Sequence, residues 1–108
     1  PVLINREIPG FIANRVMGAI NEESLFLYEN GYASKEDIDA AIRNGLGHPM
    51  GPFELMDMVG LDVIDFIAKA TYEETGAEED KPNESISKLV AEGKFGRKSG
   101  EGFYEYKK

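Results

Sequence analysis

Apolar residues recur along this chain at helical spacing, in blocks set apart by glycine and proline. After an apolar lead-in closed by Pro9-Gly10, the pattern predicts a helix from about Phe11 to Asn30, with Gly31 as its stop. Ile12, Val16, Ile20 and Leu27 form one line, while Phe11, Met17 and Phe26 carry hydrophobicity round most of the circumference. A helix apolar nearly all round belongs at the centre of a fold, and roughly 20 residues give it about 30 Å of length. Ser34 can cap a second helix through the N–H of Asp37, with Ile38, Ala41 and Ile42 facing inward and an end near Asn44-Gly45. A third helix runs from Pro52, a residue tolerated in a first turn, to about Val59. Gly60 breaks it before a fourth, from Leu61 or Asp62 to about Thr75, with Val63, Ile64 and Ile67 in register. The acidic stretch Glu73 to Asp80 reads as a solvated loop, and Asn83 as the cap of a fifth helix in which Ile86, Leu89 and Val90 recur at i, i+3 and i+4 before Gly93. Residues 95–106 are aromatic, glycine-rich and too broken for a helix. The expected fold class is all-α, a compact bundle of about five helices with an irregular aromatic tail.

Composition agrees with that picture and narrows it. A chain of 108 residues with 42% hydrophobic content suits one modest core. The absence of cysteine excludes disulfides and thiolate metal sites, and fits a reducing cytoplasm. No apolar run is long enough to span a bilayer. The first residue is Pro1 rather than methionine, and the expectation is that the chain is cut from something longer. A formal charge of −8 disfavours nucleic acid and anionic membranes as partners. The charge is uneven: residues 94–108 carry a local +3, and the remainder −11. That cationic end is either a contact for a phosphate-bearing ligand or a solvated terminus.

Three residues merit weighing as chemistry. His48, the one histidine, has the right proton affinity for acid–base work and lies six residues from Glu54. Without a nucleophile or metal partner at a diagnostic spacing, a structural hydrogen bond in a Gly-His-Pro turn is the better account. Asn14 stands early in the first helix, on a semi-polar stripe with Gly18, Asn21, Leu25 and Tyr28. Its amide can donate to one group and accept from another; contact with a substrate and satisfaction of backbone groups near Pro9-Gly10 are both open. Lys98 is framed by Gly96 and Gly100, which presents it as a flexible charge suited to a phosphate or a ribose hydroxyl, with a solvated tail as the alternative. Phe103, Tyr104 and Tyr106 read as aromatics that pack the tail onto the helices.

The stretches Pro9-Gly10-Phe11-Ile12-Ala13-Asn14-Arg15, Gly47-His48-Pro49-Met50-Gly51-Pro52-Phe53-Glu54-Leu55-Met56-Asp57 and Gly96-Arg97-Lys98-Ser99-Gly100-Glu101-Gly102-Phe103-Tyr104 occur in that order. Together they resemble the C-terminal domain of the NAD-dependent 3-hydroxyacyl-CoA dehydrogenases, and the ending is similar to the monofunctional bacterial 3-hydroxybutyryl-CoA type. The resemblance implies a helical domain of the 6-phosphogluconate dehydrogenase C-terminal-domain kind over residues 11–108, with residues 1–10 as the end of a linker from a Rossmann domain. It further implies an acyl-CoA substrate, NAD as cofactor held mainly by that other domain, a homodimer, and no dehydrogenase activity in this piece alone. By the same resemblance Asn14 faces the substrate and the catalytic histidine across the cleft, Lys98 reaches NAD, and the histidine–glutamate pair lies upstream. No metal ligand is implied. Two rival classes are a non-catalytic helical interaction module and a hydrolase built on His48 and Glu54; the same domain in a sugar-acid dehydrogenase is a third reading.

Overall fold

A computed structural model describes the backbone of residues 2–106; side chains within the first helix are described for Ile12, Ala13 and from Arg15 onward. Five α-helices occur among these residues: α1 (Val2–Glu29), α2 (Lys35–Leu46), α3 (Pro52–Val59), α4 (Leu61–Thr75) and α5 (Glu84–Ala91). Short 3-10 turns follow at Glu78–Asp80 and Arg97–Ser99. The chain is therefore all-α, as its periodicity indicates.

Most helix ends are set by local chemistry. Ser34 Oγ accepts from Asp37 N at 3.1 Å and starts α2. Gly31 (φ +76°) ends α1: its N–H reaches Tyr28 O, and Tyr32 N–H reaches Leu27 O, the paired bonds of a Schellman motif. Gly47 (φ +72°) closes α2, slightly beyond the Asn44-Gly45 stop expected from sequence, because a left-handed residue can bond back to the Ile42 carbonyl.

Three differences from the sequence reading are physical. α1 runs straight through Pro9-Gly10, where a break is expected. Proline and glycine oppose a helix interior by about 3 and 1 kcal/mol. An extended lead-in, however, needs a neighbouring strand for its backbone groups, and no strand ladder occurs among the described residues; the helix supplies those bonds itself. Part of the acidic loop is ordered: α4 ends at Thr75 as expected, but Thr75 Oγ1 donates to Asp80 at 2.7 Å and holds the 3-10 turn Glu78–Asp80. Asn83 occupies the N-cap position of α5 without capping it. Glu29 of α1 takes over, accepting from Ser85 N–H (3.3 Å) and Ser85 Oγ.

The core is built from Leu25, Ile38, Phe53, Met56, Leu61, Ile86 and Phe103, one or two from each helix and one from the tail. Phe53 and Phe103 meet edge to face at 4.8 Å between centroids, and Tyr28 packs edge-on against both. The tail is thus part of the core, as its aromatic content suggests. A large apolar surface is left uncovered: Ile12, Val16 and Phe26 on α1 and Phe66 and Ile67 on α4 are more than half exposed. Beside Val16, an open groove of about 680 Å³ runs between α1 and α2.

Candidate functional site

The Gly47–Asp57 turn is fixed by a carboxylate from another helix. Pro52 begins α3 without an N–H, which leaves the N–H groups of Phe53 and Glu54 to be met. Gly51 has no side chain to meet them. Asp39, buried on α2, does so: Oδ1 accepts from Phe53 N at 2.9 Å and Oδ2 from Glu54 N at 3.2 Å. Glu54 Oε1 in turn accepts from Gly51 N at 2.7 Å, the reciprocal half of a capping box. The arrangement requires glycine at 51, since a Cβ there would overlap Cα, Cβ and Cγ of Asp39. Burial raises the Asp39 pKa; hydrogen bonds from Tyr104 Oη (2.6 Å) and the two backbone donors oppose that rise. Burial likewise disfavours the Glu54 anion, but Gly51 N–H and the Arg43 guanidinium at 2.8 Å outweigh it and bring the carboxyl below its ordinary range.

A second buried carboxylate holds the tail. Asp57, on the last turn of α3, accepts from Phe103 N (2.9 Å) and Tyr104 N (3.0 Å), and from the Tyr106 hydroxyl. Gly96 and Gly102 press so closely on Asp57 that a Cβ at either position would overlap it. Burial and the Asp57 acceptor push the Tyr106 hydroxyl well above the usual phenol range. Tyr104, with Asp39 as acceptor, moves in the same direction for the same reasons. Two aspartates on adjacent helices and two tyrosines on the tail therefore lock the Lys98-bearing loop to the same frame as the 47–57 turn.

Lys98 itself does not hang free. Its Nζ lies 2.7 Å from Asp62 Oδ1 and donates to Oδ2 at 2.9 Å, at the start of α4. His48 is half-buried beside a small apolar pocket of about 320 Å³ that it shares with Met17, Ile42, Pro49 and Leu55. The structure builds no His48–Glu54 dyad, because Glu54 Oε1 is engaged by Gly51 and Arg43. Asn14 lies on α1, four residues before Gly18; its side chain lies outside the described residues. Further along its register, Leu25 is buried in the core, and Gly18 and Asn21 open onto an apolar groove of about 480 Å³ shared with Met56, Val59 and Ile64.

The profile of the 3-hydroxyacyl-CoA dehydrogenase C-terminal domain matches residues 10–106. This chain belongs to that family. The dehydrogenase domain is 54% identical over 104 residues to the human mitochondrial hydroxyacyl-coenzyme A dehydrogenase, covering 94% of this chain and 33% of the relative. It is 41% identical over 102 residues to a 3-hydroxybutyryl-CoA dehydrogenase of Clostridioides difficile, covering 94% and 36%. Among solved structures, (S)-3-hydroxybutyryl-CoA dehydrogenase PaaH1 of Ralstonia eutropha superposes with a TM-score of 0.79 at 36% identity, covering 88% of this chain and 34% of that one. The chain thus spans about a third of the length of these relatives.

Asp39, Asp57 and Asp62 were not distinguishable in the sequence from solvated acids. The basic residues four positions either side of Asp39 pair elsewhere, Lys35 with Glu36 and the Tyr104 ring, and Arg43 with Glu54. One usable signal was present: a glycine preceding Pro52 leaves helix donors that some remote acceptor has to satisfy.

Proposed function

We propose that this domain forms one wall of the cleft in which an L-3-hydroxyacyl-CoA is oxidised to the 3-oxoacyl-CoA, and that it is inactive without the neighbouring nucleotide-binding domain. The observation that carries the reading is that α3 holds both family motifs on one frame, the 47–57 turn through Asp39 and the Lys98 loop through Asp57. The residues present fit the edge of a dinucleotide. They offer a half-exposed ammonium seated over Gly60, where a Cβ would crowd it, while the sequence has no glycine-rich phosphate turn. When bound, NAD supplies the hydride acceptor. Asn14 contributes a polar contact to the substrate and to the histidine of the other domain, whose task is to take the C3 hydroxyl proton. Lys98 contacts the cofactor. Positioning of this kind accounts for large rate factors, so a missing wall abolishes turnover even where the cofactor still binds. Freedom from cysteine suits any reducing compartment, the cytoplasm among them.

In the full-length dehydrogenase, Asn14→Ala should lower kcat about tenfold or more, the loss expected when a buried polar contact is removed. Steady-state kinetics with 3-hydroxybutyryl-CoA measure it, and unchanged kcat would make Asn14 a backbone partner only.

The exposed apolar side chains of α1 and α4 and the groove beside Val16 suit a second copy of the chain. Sedimentation should give a dimer at micromolar concentration, and Val16→Glu should shift it to monomer. A wild-type protein that sediments as a monomer would end the dimer proposal.

A further inference from the structure

Two residues of the α1 stripe, Gly18 and Asn21, belong neither to the buried core nor to a helix cap. Both oppose the helix they stand in. Glycine is a poor residue for a helix interior, and asparagine competes there for backbone bonds. Packing does not demand the glycine: a Cβ at position 18 would meet no atom of the described residues within 4 Å. Asn21 Oδ1 is shut off from solvent and has no hydrogen-bond donor among the described residues. Its own helix cannot supply one, because N–H groups in a helix interior are committed to carbonyls one turn back. Other short polar side chains on these helices settle on their own backbone: Ser24 Oγ donates to Ile20 O at 2.7 Å, and Thr71 Oγ1 to Ile67 O at 2.9 Å. A shielded acceptor without a partner is uncommon in a folded protein and calls for an explanation.

Gly18 and Asn21 both line the groove of about 480 Å³ between α1, α3 and α4, a size usual for small-ligand sites. Met17, Leu55, Val59 and Ile64 give it apolar walls, and Asn21 is the one amide or hydroxyl among its described lining residues. The α1 stripe runs into the core at Leu25 in one direction and reaches Asn14 in the other. Asn14 and Asn21 stand two turns apart, about 10 Å along the helix axis. An extended hydrocarbon chain covers that distance in about eight carbon–carbon bonds. The groove thus matches a mostly apolar chain with one hydrogen-bond donor near its far end. An alcohol supplies that donor; a ketone, ether or ester oxygen does not. No cation stands among the described lining residues, so a terminal carboxylate would be desolvated without a partner. Resting on the reading of Asn14 as a substrate contact, we propose that this groove receives the acyl chain beyond C3 and that Asn21 selects chains carrying a hydroxyl about eight carbons further on.

The test compares 3,12-dihydroxydodecanoyl-CoA with 3-hydroxydodecanoyl-CoA in the full-length dehydrogenase and in its Asn21→Leu and Gly18→Val variants. 3-Hydroxybutyryl-CoA serves as the short reference, and thermal unfolding is followed in parallel. Wild type should favour the dihydroxy thioester about fivefold in kcat/KM, the effect of one hydrogen bond to an otherwise unpaired acceptor. Asn21→Leu should reverse that preference and melt at or above the wild-type temperature, since it removes an unpaired polar atom from an apolar wall. Gly18→Val should lower kcat/KM for both dodecanoyl thioesters about fivefold relative to the reference, because its methyl groups occupy the groove. Equal use of the two long thioesters by wild type, or a preference that Asn21→Leu leaves in place, would overturn the proposal. A melting temperature of Asn21→Leu well below wild type would make Asn21 a structural residue, which also overturns it. Long-chain kinetics untouched by Gly18→Val would place the acyl chain elsewhere, with the same consequence. Absence of turnover with all three thioesters would instead remove the dehydrogenase reading itself, and the proposal with it.

Discussion

Asp57→Ala should destabilise the domain by about 4 kcal/mol and release residues 95–106 from α3. Three donors lose their acceptor at once: the N–H groups of Phe103 and Tyr104 and the hydroxyl of Tyr106. Each buried donor left without a partner costs roughly 1–3 kcal/mol, and the tail can recover part of this by moving into water. That movement withdraws Phe103 from its edge-to-face contacts with Phe53 and Tyr28, so core packing is lost as well. Urea unfolding measures the stability change. Limited trypsin digestion locates it, with cleavage expected first after Lys94, Arg97 and Lys98. A variant that melts like wild type and resists trypsin at those sites would show that the tail is held by its aromatics alone. Asp57→Asn is the milder companion: one carbonyl oxygen replaces two carboxylate oxygens, so a smaller loss of the same kind follows.

Gly51→Ala should cost about 3 kcal/mol, and for a different reason. The backbone at Gly51 is extended, with φ −78° and ψ 167°, so alanine is conformationally acceptable there. The obstacle is space: the new methyl would overlap the Cα and the side chain of Asp39, atoms fixed within α2. Relief requires α2 and the start of α3 to separate, which lengthens the hydrogen bonds from Phe53 and Glu54 to Asp39. Overpacking of this sort costs roughly 1–3 kcal/mol where neighbours can yield, and a helix backbone yields little. Chemical denaturation gives the magnitude; in the full-length enzyme, a rise in substrate KM would report displacement of the 47–57 turn. Stability equal to wild type would mean that α2 has slack at Asp39 which the packing does not suggest.

Much of this fold is legible in the chain because its signals are local. Ser34, Pro52, Gly60 and Gly93 punctuate helices at the expected places, and Ile38, Ile86 and Phe103 are buried as their spacing or setting suggests. The misjudged elements are those decided at a distance. Asn83 stands where a capping residue should, yet Glu29, 56 residues from Ser85, supplies the acceptor. Pro9-Gly10 is a strong local break that the surrounding backbone overrides. The same division runs through the candidate site. Lys98 could be singled out from its glycine frame, whereas its partner Asp62 looks in sequence like an ordinary first-turn acid. Buried aspartates such as Asp39 and Asp57 carry no periodic signature; their role appears when three elements meet.

The remote caps bear on the order in which this chain acquires structure. α3 and α5 have eight residues each, below the roughly 12–15 at which an isolated helix persists in water. Their first-turn donors are met by Asp39 and Glu29, residues that leave the ribosome earlier than the helices they serve. Tyr104 and Phe103, which complete the shells of Asp39 and Asp57, emerge later than every helix. In chain order, α1 and α2 thus precede the helices whose donors they meet, and the aromatic segment that completes both shells comes last among the described residues.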